Sequence, residues 1–173
     1  MSSICRIFSD LGISPTYAED RGLTLQKEAP LSELVIHSID SEGRVFVLHN
    51  SAASAWTALV EAAKQDRVTL LPLSGFRSYL YQQRLLERGL KHGKTISELL
   101  KSQAAPGYSE HHTGCAIDII CQDCPALSED FEKTDAFAWL SKNAANFGFT
   151  MSFPRGNSSG FIYEPWHWCY QRV

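Results

Sequence analysis

The stretch Ser109-Glu110-His111-His112-Thr113-Gly114-Cys115-Ala116-Ile117-Asp118, answered near the C-terminus by Glu164-Pro165-Trp166-His167, constrains this chain more than any other feature. The two segments supply two imidazoles and two carboxylates from distant parts of the sequence, so a fold that uses them must bring the segments side by side. Three such groups would hold a zinc ion through two nitrogens and one oxygen, leaving a fourth position for water. The remaining carboxylate would stand close by, where a general base is needed. Hydrolysis is the chemistry to which this points.

Bulk properties set the frame. A chain of 173 residues, 44% hydrophobic and 20% charged, is most simply one soluble globular domain able to bury its own core. Its net charge of −3 gives no reason to expect nucleic acid or an anionic membrane as partner. The segment from Met1 to Thr16 lacks the basic start and unbroken apolar run of a secretion signal, and nowhere do about 18 apolar residues run together. Five cysteines, an odd number, fit a reducing compartment better than a disulfide framework. The expectation is a cytoplasmic protein, or a periplasmic one if a leader has been removed. Oligomeric state is not encoded legibly.

Periodicity predicts a short helix over residues 2–13, an irregular lead-in over 14–33 with Pro15, Gly22 and Pro30, and a hairpin of strands Leu34–Ile39 and Arg44–His49. Asn50 or Ser51 should cap a helix to about Lys64, with Ala55, Leu59, Val60 and Ala63 facing the core. Val68–Leu73 reads as a buried strand, and Ser78 opens a helix carrying Tyr81, Leu85 and Leu86 and ending near Gly93. Thr95 to Glu98 has capping-box spacing for a helix through about Gln103. Cys115–Cys121 reads as a strand, Thr134 caps a helix to about Phe147, and Phe149–Phe153 and Phe161–Tyr170 read as two more strands. The order of helices and mainly hairpin-connected strands predicts an α+β fold with an antiparallel sheet.

Within that frame, residues seven apart such as His111 and Asp118 would point to opposite faces of a regular strand. Gly114 between them allows the chain to bend until both converge. Glu164 and His167 diverge likewise in an ideal strand, and Pro165 between them predicts a local bend or bulge.

Taken together, Ser109, His111, Gly114, Ala116 and Asp118, then Glu164-Pro165-Trp166-His167, resemble the LAS metallopeptidases, most closely their VanY-type carboxypeptidases. The resemblance extends to Ser74-Gly75-Phe76-Arg77-Ser78-Tyr79 with Gln82, and to Gly160-Phe161 with Tyr163, and covers roughly residues 68–170. It implies an α+β fold built on a small central antiparallel sheet flanked by helices. It also implies that His111, Asp118 and His167 bind one zinc ion, that Glu164 is the general base, and that Arg77, Gln82 and Ser109 hold the substrate. Arg77, permanently charged, suits a substrate carboxylate or a developing oxyanion, and is counted with Glu164 in the catalytic set.

Other features weigh less. The Ser109 register selects His111 over its neighbour His112, which is expected to be exposed or to lie behind the ligands. Trp166 and Trp168 are expected in the core or pocket walls, and His37, His49 and His92 are expected to be structural or solvent-facing. A lone Cys121/Cys124 pair is weak support for a metal or redox site. Cys169 stands where arginine is common in the carboxypeptidases this chain resembles. The resemblance implies a zinc carboxypeptidase that releases a terminal D-alanine from peptidoglycan stem peptides, with L,D-cleavage of recycled tetrapeptides as the preferred expectation. The alternatives are a D,D-carboxypeptidase acting on pentapeptides, an endopeptidase, and a zinc-containing module that binds wall peptides without cutting them.

Overall fold

In the computed structural model, which describes residues 3–122 and 124–171, the chain forms α1 (Ser3–Leu11), α2 (Tyr17–Asp20), β1 (Leu34–Ile39), β2 (Val45–His49), α3 (Asn50–Gln65) and β3 (Leu71–Ser74). There follow α4 (Tyr79–Lys91), α5 (Ile96–Leu99), β4 (Ala116–Ile120), α6 (Asp135–Asn143), β5 (Phe149–Met151) and β6 (His167–Tyr170). The expected first residue of the opening helix, Ser2, lies outside the described residues. The architecture is α+β, as the sequence predicts, with two small antiparallel sheets. One is the β1–β2 hairpin; the other has the order β3-β4-β6-β5.

β4 and β6 occupy the middle of the larger sheet, and their pairing sets the geometry of the site. Ala116 lies opposite Cys169, Ile117 opposite Trp168, and Asp118 opposite His167. Alternation sends Ile117, Ile119 and Trp168 into the main core with Trp56, Leu59, Phe131, Leu140 and Phe149. The opposite face carries Asp118 and His167, while Ala116 and Cys169 pack with Ala52 and Cys115. Cys169 therefore packs in a small apolar cluster, where the resemblance would have placed an arginine.

Several boundaries differ from expectation, each for a local reason. The helix α3 is capped by His49, whose imidazole accepts the Ser51 N–H, rather than by Asn50 or Ser51. Its buried stripe is Ala52, Ala53, Trp56, Leu59 and Ala63 and centres on the Trp56 ring, 1% exposed, with Ala55 and Val60 half-buried at its edge. Tyr81 of α4 is 48% exposed, and Leu86 is the side chain that anchors this helix. Caps at Ser78 and Thr134 and the Thr95–Glu98 capping box are present as read. The final strand is shorter than expected. Glu164 and Pro165 lie before it, in a turn closed by the His167 N–H on the Glu164 carbonyl at 3.1 Å, so the bend expected at Pro165 is a turn and not a bulge.

Residues 13–33 have little regular structure yet are firmly docked. Ile13 and Tyr17 join Phe8, Leu11, Leu86, Leu99, Leu100 and Ala105 in a second core. The Gln26 N–H then donates to the Gly107 carbonyl at 2.7 Å and the Ala29 N–H to the His112 carbonyl at 2.8 Å. The lead-in thus braces the loop that precedes β4.

Gly75 marks where β2 meets the turn after β3. A Cβ there would lie 2.4 Å from the Val47 carbonyl oxygen and 2.8 Å from the Phe46 ring, both held by packed structure. Gly75→Ala is expected to cost about 1–3 kcal/mol through this overpacking, as read by urea denaturation of the metal-free protein. An unchanged midpoint would mean that the two strands are not in close contact.

Candidate active site

Asp118 and His167 meet because they are cross-strand partners, and facing Cβ atoms in such a pair stand about 4.5–5.5 Å apart. His167 Nδ1 lies 3.0 Å from Asp118 Oδ1. His111 arrives differently. It sits in a 3-10 turn, Glu110–Thr113, ended by Gly114 in the left-handed conformation at φ 70°. A side chain at that glycine would also meet the His49 backbone nitrogen at 2.7 Å, so both conformation and space require glycine. The bend foreseen from Gly114 is this turn.

His111 Nδ1 donates to the Gly75 carbonyl at 2.7 Å, which aims Nε2 at Asp118 Oδ2, 3.2 Å away. That Nε2 is buried and makes no hydrogen bond. An orphaned imidazole nitrogen facing a buried carboxylate is the condition in which a cation fits and a second proton donor does not. One donor atom from each of His111, Asp118 and His167 lies within 4.8 Å of the others, and all three residues are buried, so this group could hold a metal ion. His112 cannot join them. Of its two expected placements exposure is excluded: it is fully buried, with Nδ1 donating to the Arg77 carbonyl and Nε2 accepting the Gly107 N–H.

The groups share a cavity of about 500 Å³, lined also by Arg77, Ser109, Glu164 and the aromatic rings of Tyr108, Phe153 and Phe161. Arg77 is held on three sides: Nε donates to Ser74, Nη1 to Gln82 Oε1 at 3.2 Å, and Nη2 to Asp118 Oδ2 at 2.8 Å. Gln82, expected to touch substrate, is fully buried, and its amide is committed to Arg77 and to the Ala104 carbonyl. Its observed contacts orient the arginine, and the reason is steric: it lies on the inner face of α4, behind the guanidinium. Ser109, 5% exposed, lies on the cavity wall at the start of the ligand turn. Glu164 is 6% exposed and lines the same cavity.

Glu110 was not singled out in the sequence. Its Oε2 lies 2.9 Å from His167 Nε2, so His167 is clasped between two carboxylates. The signal was the residue's place inside the motif, but its partner 57 positions away is visible only in the fold. The Gly75 carbonyl and the Phe153 ring, which packs 4.9 Å from the His167 ring, were likewise beyond local reading. The Cys121 and Cys124 sulfurs lie 3.5 Å apart, outside this cavity; Asp123 between them is outside the described residues. His49 and His92 are tied locally, His49 to Glu33 and His92 to the Arg88 carbonyl.

Charge is unevenly distributed here. Burial and the nearby Arg77 lower the His111 pKa to about 4, so its ring is neutral. Burial alone would lower His167 too, but hydrogen bonds to Asp118 and Glu110 outweigh it and raise the value to about 10. Burial raises Glu164 to about 7. Asp118 stays well below the ordinary range despite burial, because the protonated His167 and the guanidinium of Arg77 favour its anion. When both ligand imidazoles are neutral, as metal binding requires, the three carboxylates Asp118, Glu110 and Glu164 face the guanidinium of Arg77; Arg44, the other arginine on the cavity wall, is exposed and paired with Asp40 and Glu42. Among the four inner groups the surplus of two negative charges equals the charge of one divalent cation.

Without metal, the proton on His167 stabilises the fold. A folded-state value near 10 against an ordinary 6.5 means that this stabilisation is full below pH 6.5 and is lost as pH rises toward 10. The melting temperature of chelator-treated protein should therefore fall between pH 7 and 10, and His167→Gln should flatten that slope. A flat or rising profile for the unsubstituted protein would show that the clasp does not form.

Residues 46–173 match the family described as VanY, D-alanyl-D-alanine carboxypeptidase. YodJ of Bacillus subtilis (strain 168), a candidate carboxypeptidase, is 33% identical over 130 residues, covering 69% of this chain and 45% of its own length. The chain spans about half the length of the curated relatives it matches. Among solved structures, the LdcB LD-carboxypeptidase superposes with a TM-score of 0.71 at 29% identity, over 86% of this chain and 74% of that one. A variant of the vancomycin-resistance D,D-pentapeptidase VanY in complex with Zn(II) superposes with a TM-score of 0.63 over 86% and 85%, and at 24% identity this is a likeness of fold. Because the family match takes in both strands of the β4–β6 pair, the ligand turn and the Glu164 segment, the chain belongs to the VanY D-alanyl-D-alanine carboxypeptidase family.

Proposed function

We propose that the protein is a monozinc carboxypeptidase that removes the C-terminal D-alanine from peptidoglycan stem peptides, with tetrapeptides, and hence L,D-cleavage, as its preferred substrates. The observation that carries this reading is the convergence of His111, Asp118 and His167 in one cavity with a buried acid, Glu164, and a fixed cation, Arg77. The family description, the Zn(II) complex of a VanY protein and the fold likeness to an LD-carboxypeptidase support it.

His111, Asp118 and His167 would hold the ion: two nitrogens and one oxygen, the donor set of a hydrolytic zinc site. Zinc, when bound there, polarises the scissile carbonyl and lowers the pKa of a water from 15.7 to about 7. The chain supplies the rest. Glu164 removes a proton as the water oxygen bonds to the carbonyl carbon, then delivers it to the nitrogen of the departing D-alanine as the C–N bond breaks. Its elevated pKa places this base near the working pH, and a cation alongside would draw the value down enough to keep it ionised. Arg77, planar and held by Ser74 and Gln82, presents a fork suited to the terminal carboxylate of the substrate. Ser109 adds a neutral hydrogen bond from the cavity wall. A module that merely bound wall peptides would have no use for a buried acid at the metal.

The zinc-loaded protein should release D-alanine from a muropeptide tetrapeptide, detected as the corresponding mass loss. Loss of alanine from the pentapeptide alone would refute the L,D assignment, and no loss from either would refute the carboxypeptidase. Glu164→Gln should lower kcat by about 10²–10⁴-fold while leaving one zinc per chain by metal analysis. Arg77→Lys should lower kcat/KM by roughly tenfold or more, because an ammonium cannot reproduce the fork.

A further inference from the structure

His167 differs from His111 in what holds its far nitrogen. His111 gives Nδ1 to a backbone carbonyl, Gly75, and presents Nε2. His167 has a carboxylate at each nitrogen: Asp118 Oδ1 at 3.0 Å from Nδ1 and Glu110 Oε2 at 2.9 Å from Nε2. Only one of these can be the ligand side. Asp118 is also the neighbour of His111 Nε2, so the space shared by all three donors lies at His167 Nδ1. Glu110 is on the other side of the ring.

We infer that Glu110 is a positioning residue of the metal centre. Its carboxylate accepts the Nε2–H of His167, and so fixes the tautomer in which Nδ1 carries the lone pair. His167 then ligates through Nδ1 while His111 ligates through Nε2. This inference rests on the zinc reading above and assigns a function to a side chain that neither the metal set nor the acid–base chemistry uses. A carboxylate behind a ligand imidazole orients the ring and makes its nitrogen a stronger donor.

The local fold delivers this arrangement. In a 3-10 turn successive side chains project about 120° apart, so adjacent Glu110 and His111 can flank the site from two directions. The Ser152 hydroxyl, just beyond β5, hydrogen-bonds the same carboxylate. Phe153 packs against the His167 ring and closes one side of it. The Glu110 side chain is 26% exposed and also lines the cavity, so the competing role is direct contact with substrate.

Zinc affinity separates the two roles. Competition against a chromophoric chelator should show Glu110→Ala binding zinc about 10–100-fold more weakly than the unsubstituted protein. Glu110→Gln should recover most of that loss, since its amide oxygen can accept the same N–H. In the zinc-loaded unsubstituted protein, ¹⁵N NMR should find the His167 proton on Nε2, a measurement that needs no variant to fold. Zinc affinity of Glu110→Ala within twofold of the unsubstituted protein, with only KM raised, would overturn the inference in favour of substrate contact. A proton on Nδ1 of His167 would overturn it as well. Failure of the unsubstituted protein to bind zinc at all would instead bring down the metal reading on which it stands.

Discussion

Burial of Asp118 in the middle of the sheet is the constraint around which the remainder of the site is arranged. A carboxylate 4% exposed on a central strand is costly unless opposite charge and hydrogen bonds surround it. Its neighbours come from four places: His167 across the β4–β6 ladder and Arg77 from the loop after β3 supply charge and hydrogen bonds, His111 faces it from the turn before β4, and Ser74 pairs with it on the other flank. Each arrives by ordinary backbone geometry. Register sets the distance to His167, Gly114 turns His111 inward, and the short β3 ends in time to release Arg77.

The metal-free charge pattern shows how the site tolerates this concentration of acids. One proton sits on His167, between Asp118 and Glu110, and Glu164, with a pKa near 7, takes up a second as the pH falls through neutrality. Below neutrality these two protons offset the two surplus negative charges of the inner groups. On the proposed reading, a divalent cation replaces them, so binding would release protons and weaken as pH falls. The same exchange frees Glu164 to act as a base. Competition between proton and cation is therefore built into the cavity by its charge count, independently of which peptide it cuts.

Much of this could be read in the sequence because the chemistry lies in short motifs with glycine and proline at the bends. The antiparallel α+β organisation, the hairpin, the caps at Ser78, Thr95 and Thr134, and the glycine bend beside His111 all follow from local patterns. What escaped was set by contacts between distant residues. His49 caps α3 because Glu33 and the Gly114 carbonyl hold it in place, and no capping rule favours histidine there. His112 is buried because Gly107 and Arg77 satisfy both its nitrogens. Gln82 turned out to face the arginine because the pitch of α4 puts it behind Arg77, and a spacing of five residues does not reveal that. Glu110 and His167 illustrate the general limit: periodicity tells which face a side chain takes, but the partner across that face belongs to the tertiary fold.

The segment ahead of the family match contributes to the same end. Residues 1–45 precede the matched region, yet Gln26 and Ala29 bond the backbone of the ligand loop, and Glu28 accepts the Tyr79 N–H beside the capping Ser78. Tyr17 accepts the Ala105 N–H at its hydroxyl, and Arg21 lies over the rings of both Tyr17 and Phe161, so the lead-in touches two cavity-lining rings, Phe161 through Arg21 and Tyr108 through Tyr17. A loop carrying two buried histidines and a clasping glutamate has few apolar contacts of its own with which to hold its shape. Its backbone is held instead by three neighbours: β2 through His49, the turn after β3 through the Arg77 N–H on the His111 carbonyl, and the lead-in. Precision at the proposed metal site is thus a property of the braces as much as of the ligands, since a ligand turn free to shift by 1 Å would lose the alignment of both rings with Asp118.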